Sequence, residues 1–574
     1  MHAWLPFASI GTSLATIAVA LLLIGIGRVF ERALTTGMPE FAAPASWIIS
    51  GWAISALVGA LAASAGIALV WPATCLGVTG IAGYCIGLPR APLLKLGAAW
   101  LIVATLLLIA STIPPTMFDE FAQWLPNTRF LAHFGRFPDA ATPNIWSAKP
   151  AYPPAIPIIG YAVQAVSGQG AETAAKIFSV LLAASFGLTL AGVVRTRLDL
   201  PFALAIGVAC ATVANPFFDP RVSLTAYADA PTGFVLAFLI YTCWRVLDEP
   251  LPRGAWQAAG ACMLLILLRE TNIILAAGVA GGVALAGRRG RVLCAAVAVA
   301  SVATFLLWRL YIVAAAMPPS LVPRALAAWR WDAPWLVARS LITERLGNNP
   351  LLGGGAFLLL VVAVGVLIHR RHKFHRLHHL LRIAGVVAAL WTLFLLWSYI
   401  AVFNPDEIAR AASAWRYMSQ LGPTLILVVF AIAAASFGAE RDLRIRSLPA
   451  VLGVLACTLP ALSVIATRSH WQINNQYPMT ARLHDVAPAL APVVGAEALA
   501  VRHPVDAASA AAEIDYDLQR PAGRSEPAES ADAGRADSYL LDISGLENGR
   551  CPRLLARSQS GWREVAFASG FSGC

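Results

Sequence analysis

Residues 94–121 read LKLGAAWLIVATLLLIASTIPPTMFDEF, and this stretch decides the fold class. Residues 94–115 carry a single charge, on Lys95. That run matches the roughly 20 apolar residues an α-helix needs to cross a hydrocarbon core. The acidic pair Asp119–Glu120 follows within a few residues, where the run leaves the membrane. Working outward, the same window finds apolar runs near 8–28, 46–70, 72–88, 174–194, 201–218 and 228–246. Others lie near 254–268, 271–287, 292–316, 351–369, 380–402, 420–438 and 447–466, about fourteen spans in all. The third, eighth and ninth are short and read as half-helices or as a bent hairpin.

Composition agrees. Of 574 residues, 58% are hydrophobic and 13% charged, against about 25% charged in an ordinary soluble domain. That charge does not cover the three or four soluble domains such a length would form. A soluble multidomain protein, a disordered chain, a fibre and a disulfide-dense module are excluded. The expected fold is an all-α polytopic membrane protein of about fourteen transmembrane helices. External interfacial helices and a small C-terminal external α+β element complete it.

The net charge of +11 does not indicate a nucleic-acid partner, because membrane proteins concentrate arginine and lysine in cytoplasmic loops. Basic clusters at Arg28/Arg32, Arg90/Lys95, Arg195/Arg197, Arg245/Arg253, 288–291, 369–382 and 441–446 fall on alternate connections. All lie on one side if both termini lie on the other. The expected location is a bacterial inner membrane, with both termini and the long loops on the periplasmic face. The first span lacks a basic amino-terminal flank and reads as a signal-anchor-like helix. The histidine-rich run 369–379 reads as a basic cytoplasmic loop rather than a metal site. Seven of the nine cysteines sit in or beside apolar runs, where a small buried residue is ordinary. Cys551 and Cys574 lie in the polar tail and are expected to pair if the tail faces an oxidising compartment.

Four connections are too long or too polar to be simple turns: 116–173, 215–229, 317–350 and 404–420. In the first, Phe121, Trp124, Leu125, Leu131 and Phe134 recur near helical spacing, with Gln123, Asn127 and Arg129 opposite. This predicts an amphipathic interfacial helix, interrupted near Pro126 and stopped at Gly135. Tyr152-Pro153-Pro154 forces extended backbone next. A carboxylate where a span leaves the membrane is costly unless paired, hydrated or used, so Asp119 is either a helix cap or a chemical group. Adjacent residues do not share a helix face, so at most one of Asp119 and Glu120 is expected to face a reacting group, the other orienting a loop or ligating a metal. Asp229, at the head of a later span, reads equally as a helix start with proline just inside. Arg269 and Glu270 interrupt an apolar stretch, as an internal ion pair or as a phosphate contact. Arg129, His133 and Lys149 are loop cations for which snorkelling is a sufficient explanation. The segment 318–349, with three tryptophans among four arginines, reads as a second interfacial helix.

The acidic pair after a span, the interfacial helix ending near Gly-Arg-Phe-Pro and the Tyr-Pro-Pro before the next span together resemble the first external loop of GT-C glycosyltransferases. That superfamily includes protein O-mannosyltransferases and lipid A aminoarabinose transferases. The resemblance covers about Leu94 to Arg416 as architecture, with its motif content in the first loop and a few junctions. It implies an enzyme that moves a sugar from a polyprenyl-phosphate or diphosphate donor to an acceptor hydroxyl on a lipid, glycan or protein, with inversion. The family's acidic position matches Asp119, with Glu120 beside it. Asp229 matches a second acidic position, and Arg416-Tyr417 opens a span as an Arg-Tyr pair does in several relatives. Tyr152, Arg129, His133, Lys149, Arg269 and Glu270 complete the substrate-binding set. Some members require a divalent ion and others none, so Mg2+ or Mn2+ bridging Asp119 or Asp229 to the phosphate stays open.

Such chemistry needs a base for the acceptor hydroxyl and cations for the departing phosphate, both at the interface where the donor's head group meets water. A polysaccharide polymerase or ligase would instead depend on Arg and His in a large late loop. A secondary transporter would show paired broken spans. The chain divides into N-terminal transmembrane helices (1–93), a GT-C-like module (94–466) and an external tail (467–574). In the tail, 506–537 reads as a flexible linker, and the strand at 538–543 is expected to pair with one near Arg563.

Overall fold

The computed structural model describes residues 7–34, 39–86, 90–113, 115, 117–168, 171–194, 200–212, 215, 223–249, 254–340, 377–409, 411, 413–436, 490–495, 499–502, 507–519, 521, 525–527, 539–542, 553–558 and 561–565. The expected spans 351–369 and 447–466, most of the histidine-rich run, and Cys551 and Cys574 lie outside them.

The described chain is predominantly helical. Seven of its helices are long and apolar enough to cross a membrane: Ile10–Ala33, Ala43–Ala65, Ala174–Val194, Asp229–Asp248, Gly287–Ala314, His378–Ala401 and Arg416–Ala435. The helices used below are α1 (Phe7–Leu34), α2 (Ala43–Ala65), α3 (Val70–Cys85), α4 (Arg90–Ile102) and α5 (Ala104–Thr112). The opening run 94–115 is not one uninterrupted helix: it breaks at Val103, and the axes of α3 and α4 differ by 117°. Helices α1, α2 and α3 pack closely because small residues line their contacts. A Cβ at Gly25 would strike the Gly80 carbonyl, and one at Gly51 the Leu23 carbonyl. Polar groups buried between these helices are satisfied locally: Arg28 Nη1 donates to the Gly83 carbonyl at 2.9 Å, and Ser46 and Ser50 donate to Glu31.

The first loop differs from its amphipathic reading. Glu120–Trp124 forms a π-helical turn that runs into α6 (Leu125–Phe134), so Pro126 begins the α-helix rather than interrupting it. The helix does end at Gly135, which takes φ +63° and closes the last turn by donating to Leu131. Its polar side faces protein instead of water. Asn127 Nδ2 donates to the Lys149 carbonyl at 3.1 Å, and Asn144 Nδ2 donates to Asn127 Oδ1 at 2.9 Å. Within the expected external loop 116–173, Ala155–Ser167 forms α7, packed against α1, α2 and α6. Its 13 residues fall short of the spanning window, so run length alone does not mark it.

Next come α8 (Ala174–Val194), α9 (Leu200–Ala211), α10 (Asp229–Asp248), α11 (Gly254–Leu268), α12 (Ile273–Ala284) and α13 (Gly287–Ala314). Of the segment 318–349, read as one interfacial helix, residues 318–340 are instead irregular chain, a 3-10 turn (Leu326–Ala328) and a short α14 (Ala333–Ser340), while 341–349 lie outside the described residues. It is tied to the end of α15 (His378–Ala401) where Arg324 N donates to the Ala401 carbonyl at 2.7 Å and Arg330 N to the Ile400 carbonyl at 3.0 Å. Helices α16 (Pro405–Ala409), α17 (Ala414–Ser419) and α18 (Gly422–Ser436) complete the described helical body.

The tail holds a five-stranded sheet in the order β2-β1-β3-β4-β5. Its strands are β1 (Leu499–Arg502), β2 (Ser525–Pro527), β3 (Tyr539–Asp542), β4 (Arg553–Ser558) and β5 (Gly561–Val565). Strand β1 pairs in parallel with β2 and β3, while β3-β4-β5 is an antiparallel meander. Two expectations are corrected. The supposed linker contains α19 (Ala507–Asp517) and β2, and the antiparallel partner of β3 is β4, not the strand around Arg563. Ala510, Ala511 and Ile514 of α19 pack on Leu499, Val501, Leu541 and Leu554. Asp515 accepts both the amide and the hydroxyl of Ser525, which fixes where the chain re-enters the sheet.

Candidate functional site

Four segments far apart in sequence meet at one cluster of charge. Asp119 stands at the entry to the π-helical turn, Asp229 opens α10, Arg269 occupies the break between α11 and the next 3-10 turn, and Arg416 lies on α17. Asp119 makes no capping hydrogen bond. Its Oδ2 accepts from Arg416 Nη1 at 2.6 Å, and its Oδ1 from Gln123 Nε2 at 3.0 Å, four residues along. Arg416 Nε also faces Asp229 Oδ2 at 3.5 Å, so one guanidinium joins both carboxylates. Asp229 is 3% exposed, and its Oδ1 accepts from Gln420 at 2.5 Å and from Arg269 Nη1 at 3.5 Å. Tyr417 OH accepts from both arginines at 3.2 Å. Tyrosine rings lie against the cations: Tyr227 under Arg416 at 4.7 Å, and Tyr417 under Arg269 at 4.9 Å.

Asp119, Tyr227, Arg269, Arg416 and Tyr417 line a cavity of about 570 Å3 together with Gln123, Lys149, Tyr152 and Ser320; Asp229 acts on it through its contacts with the two arginines. Its apolar lining comes from Trp391, Phe394 and Leu395 of α15 with Val402 and Phe403 beyond it. Trp391 Nε1 donates to the Tyr417 carbonyl at 3.0 Å and so joins α15 to α17. Lys149 Nζ donates to the Ser320 carbonyl at 3.3 Å, which links the first loop to the segment that brings Ser320 and Leu321 to the cavity. Desolvation pushes the Tyr152 phenol up to about 12 and raises that of Tyr227 well above the ordinary phenol value. Both are therefore neutral hydroxyls at physiological pH, able to donate.

Glu120 plays a different part from its neighbour. It is 1% exposed; its Oε2 accepts from the Met117 amide at 3.1 Å and its Oε1 from the Ala226 amide at 2.8 Å. It thus ties the loop bearing Asp119 to the segment that delivers Asp229. Lys176, fully buried in α8, donates to the Ile113 carbonyl at 2.6 Å and holds the end of α5 at the same place. Glu120→Gln turns an amide NH2 toward a backbone N–H. It should lower stability by about 1–3 kcal/mol, as an unsatisfied buried donor does. A thermal unfolding midpoint in detergent equal to that of the unaltered protein would remove Glu120 from this tie.

Of the residues singled out in the sequence, Asp119, Asp229, Arg269, Arg416, Tyr417, Lys149 and Tyr152 come together here. Arg269 and Glu270 do not pair with each other. Arg269 turns to Asp229, while Glu270 faces Arg309 at 3.3 Å and accepts from Ser320 at the cavity edge. Arg129 and His133 lie away from the cavity: Arg129 meets Tyr516 of α19, and His133 packs on Phe134 and Trp146. Gln420, Ser320, Arg309 and Lys176 carried no sequence signal, since each gains its meaning from a partner at least 39 residues away.

Among the described residues no group of three His, Cys, Asp or Glu side chains converges on one point. A bridging divalent ion would have to share Asp119 and Asp229 with Arg416. No protein-family model matches this chain, and no curated protein is similar to it. Chemically, the arrangement offers hydrogen-bonded guanidinium groups and an ammonium for an anionic head group, a carboxylate at the cavity surface, and an apolar lining for a chain attached to that head group.

Proposed function

We propose that this protein is a membrane glycosyltransferase of the GT-C type, taking its sugar from a polyprenyl-phosphate or diphosphate carrier and delivering it to an acceptor hydroxyl. The observation that carries the reading is the convergence of Asp119, Arg269 and Arg416 on a cavity lined by charged and by apolar side chains, with Asp229 paired to both arginines. In this reading the isoprenoid lies along Phe394, Leu395 and Val402, and the phosphate sits by Arg269, Arg416 and Lys149.

Asp119 takes the proton of the acceptor hydroxyl as its oxygen attacks the anomeric carbon. The bond from that carbon to the carrier phosphate breaks, and the electron pair leaves with the phosphate. Arg416, already hydrogen-bonded to Asp119, lies between base and leaving group. Its charge is shared with the phosphate as negative charge grows there. Displacement from the face opposite the phosphate inverts the sugar carbon. The proposed setting is a bacterial inner membrane with the cavity open to the periplasm, where a lipid, glycan or protein acceptor is met. No nucleic acid takes part.

Incubation of the purified protein with a panel of polyprenyl-phosphate sugars should release free carrier for at least one donor. If every donor remains intact in the presence of hydroxyl acceptors from all three classes, glycosyl transfer is the wrong chemistry for this cavity.

A further inference from the structure

Asp119 is held in place from the tail as well as from the helical body. Helix α19 packs on the π-helical turn Glu120–Trp124, and the contact centres on Tyr516, which is 8% exposed. The Tyr516 ring lies 5.6 Å from that of Phe121, within the turn. The Arg129 guanidinium sits 3.4 Å above the same ring, and its Nη1 donates to the Tyr516 carbonyl. On the far side the phenol donates to Glu172 Oε1 at 3.3 Å. Tyr516 therefore touches the π-turn, the helix that follows it, and the loop before α8.

Helix α19 is itself fixed by the sheet through Ile514 and Asp515. The π-turn it covers is a rare conformation that carries one residue more than an α-turn. Relaxing it to α-helix would rotate the preceding residue by about 100° and shift it by about 1.5 Å along the axis. Either motion would take Asp119 off Arg416.

We infer that Tyr516 is a positioning residue: the C-terminal module clamps the π-turn through it and so holds Asp119 against Arg416. The clamp is made by the contacts of Tyr516 with Phe121, Arg129 and Glu172. Its effect on turnover rests on the assignment of Asp119 given under Proposed function.

The test uses full-length Tyr516→Ala, Tyr516→Phe and Arg129→Met. Hydrogen exchange of the amides of 120–125 is followed without substrate, and kcat and donor KM are measured separately on the donor that the unaltered protein turns over. Tyr516→Ala and Arg129→Met, which open the contact from opposite sides, should both speed exchange in this turn by about tenfold or more, because local opening is no longer opposed. Their kcat should fall about 10- to 100-fold, the usual consequence of misplacing a reacting group by about 1 Å, with donor KM within about twofold. Tyr516→Phe loses only the hydrogen bond to Glu172 and keeps the ring against Phe121 and under Arg129, so its exchange in 120–125 and its kcat should stay within about threefold of the unaltered protein, well short of the effect of Tyr516→Ala. Unchanged exchange in both Tyr516→Ala and Arg129→Met overturns the clamp, whatever the activity. Faster exchange with kcat unchanged overturns its positioning role. Faster exchange in a protein that moves no sugar supports the clamp and counts against the glycosyltransferase reading instead.

Discussion

Asp119→Asn should reduce sugar transfer at least about 100-fold, the usual loss when a general base is removed, while the protein still reaches the membrane in normal amount. The replacement is close to isosteric, and the surroundings can absorb it. Asparagine Oδ1 can keep accepting from Arg416, and Gln123 can turn its own amide so that its oxygen accepts from the new NH2, since these two side chains already meet at 3.0 Å. Arg416 keeps Asp229 as its counter-charge. Only the ability to take a proton is lost. Comparison of kcat/KM with the unfolding midpoint separates the outcomes: near-normal activity would reduce Asp119 to a partner of Arg416.

Arg416→Met should damage both activity and stability. Its removal leaves Asp119, 18% exposed, with Gln123 alone, whereas Asp229 retains Arg269 and Gln420. Breaking a buried pair by deleting one member costs about 3–5 kcal/mol, because the surviving charge is stranded. The loss is expected toward the lower end here, since Asp119 still reaches the cavity. The double variant Asp119→Asn with Arg416→Met should regain much of that stability, because the stranded carboxylate has become neutral, yet none of the activity. A double-mutant cycle on the unfolding free energy, read beside carrier release, checks this. Additive stability losses would mean that the 2.6 Å contact is energetically idle.

Much of the helical body was legible because apolar run length is a local property. The runs 174–194 and 254–268 correspond to α8 and α11 residue for residue. Where a decision depended on a partner distant in sequence, the chain was silent. Nothing local distinguishes an Arg269–Glu270 pair from the observed Arg269–Asp229 and Arg309–Glu270 pairs, whose members lie 40 and 39 residues apart. Arg129 looked like a loop cation because its partner, Tyr516, is 387 residues away. The tail misled for a compositional reason. Alanine-rich, acidic sequence resembles a linker, but Ala510, Ala511 and Ile514 form a narrow apolar stripe that is enough to cover a small sheet. The acidic pair was legible in outline: neighbours on a helix point apart, and Asp119 faces the cavity while Glu120 turns to backbone amides.

The most direct measurement is a structure of the purified protein with a polyprenyl phosphate bound. This account places the phosphate within hydrogen-bonding reach of Arg269 and Arg416, with the isoprenoid along Phe394 and Leu395 and Asp119 open toward the sugar position. A phosphate seated elsewhere, or a lipid that leaves this cavity empty, would contradict it.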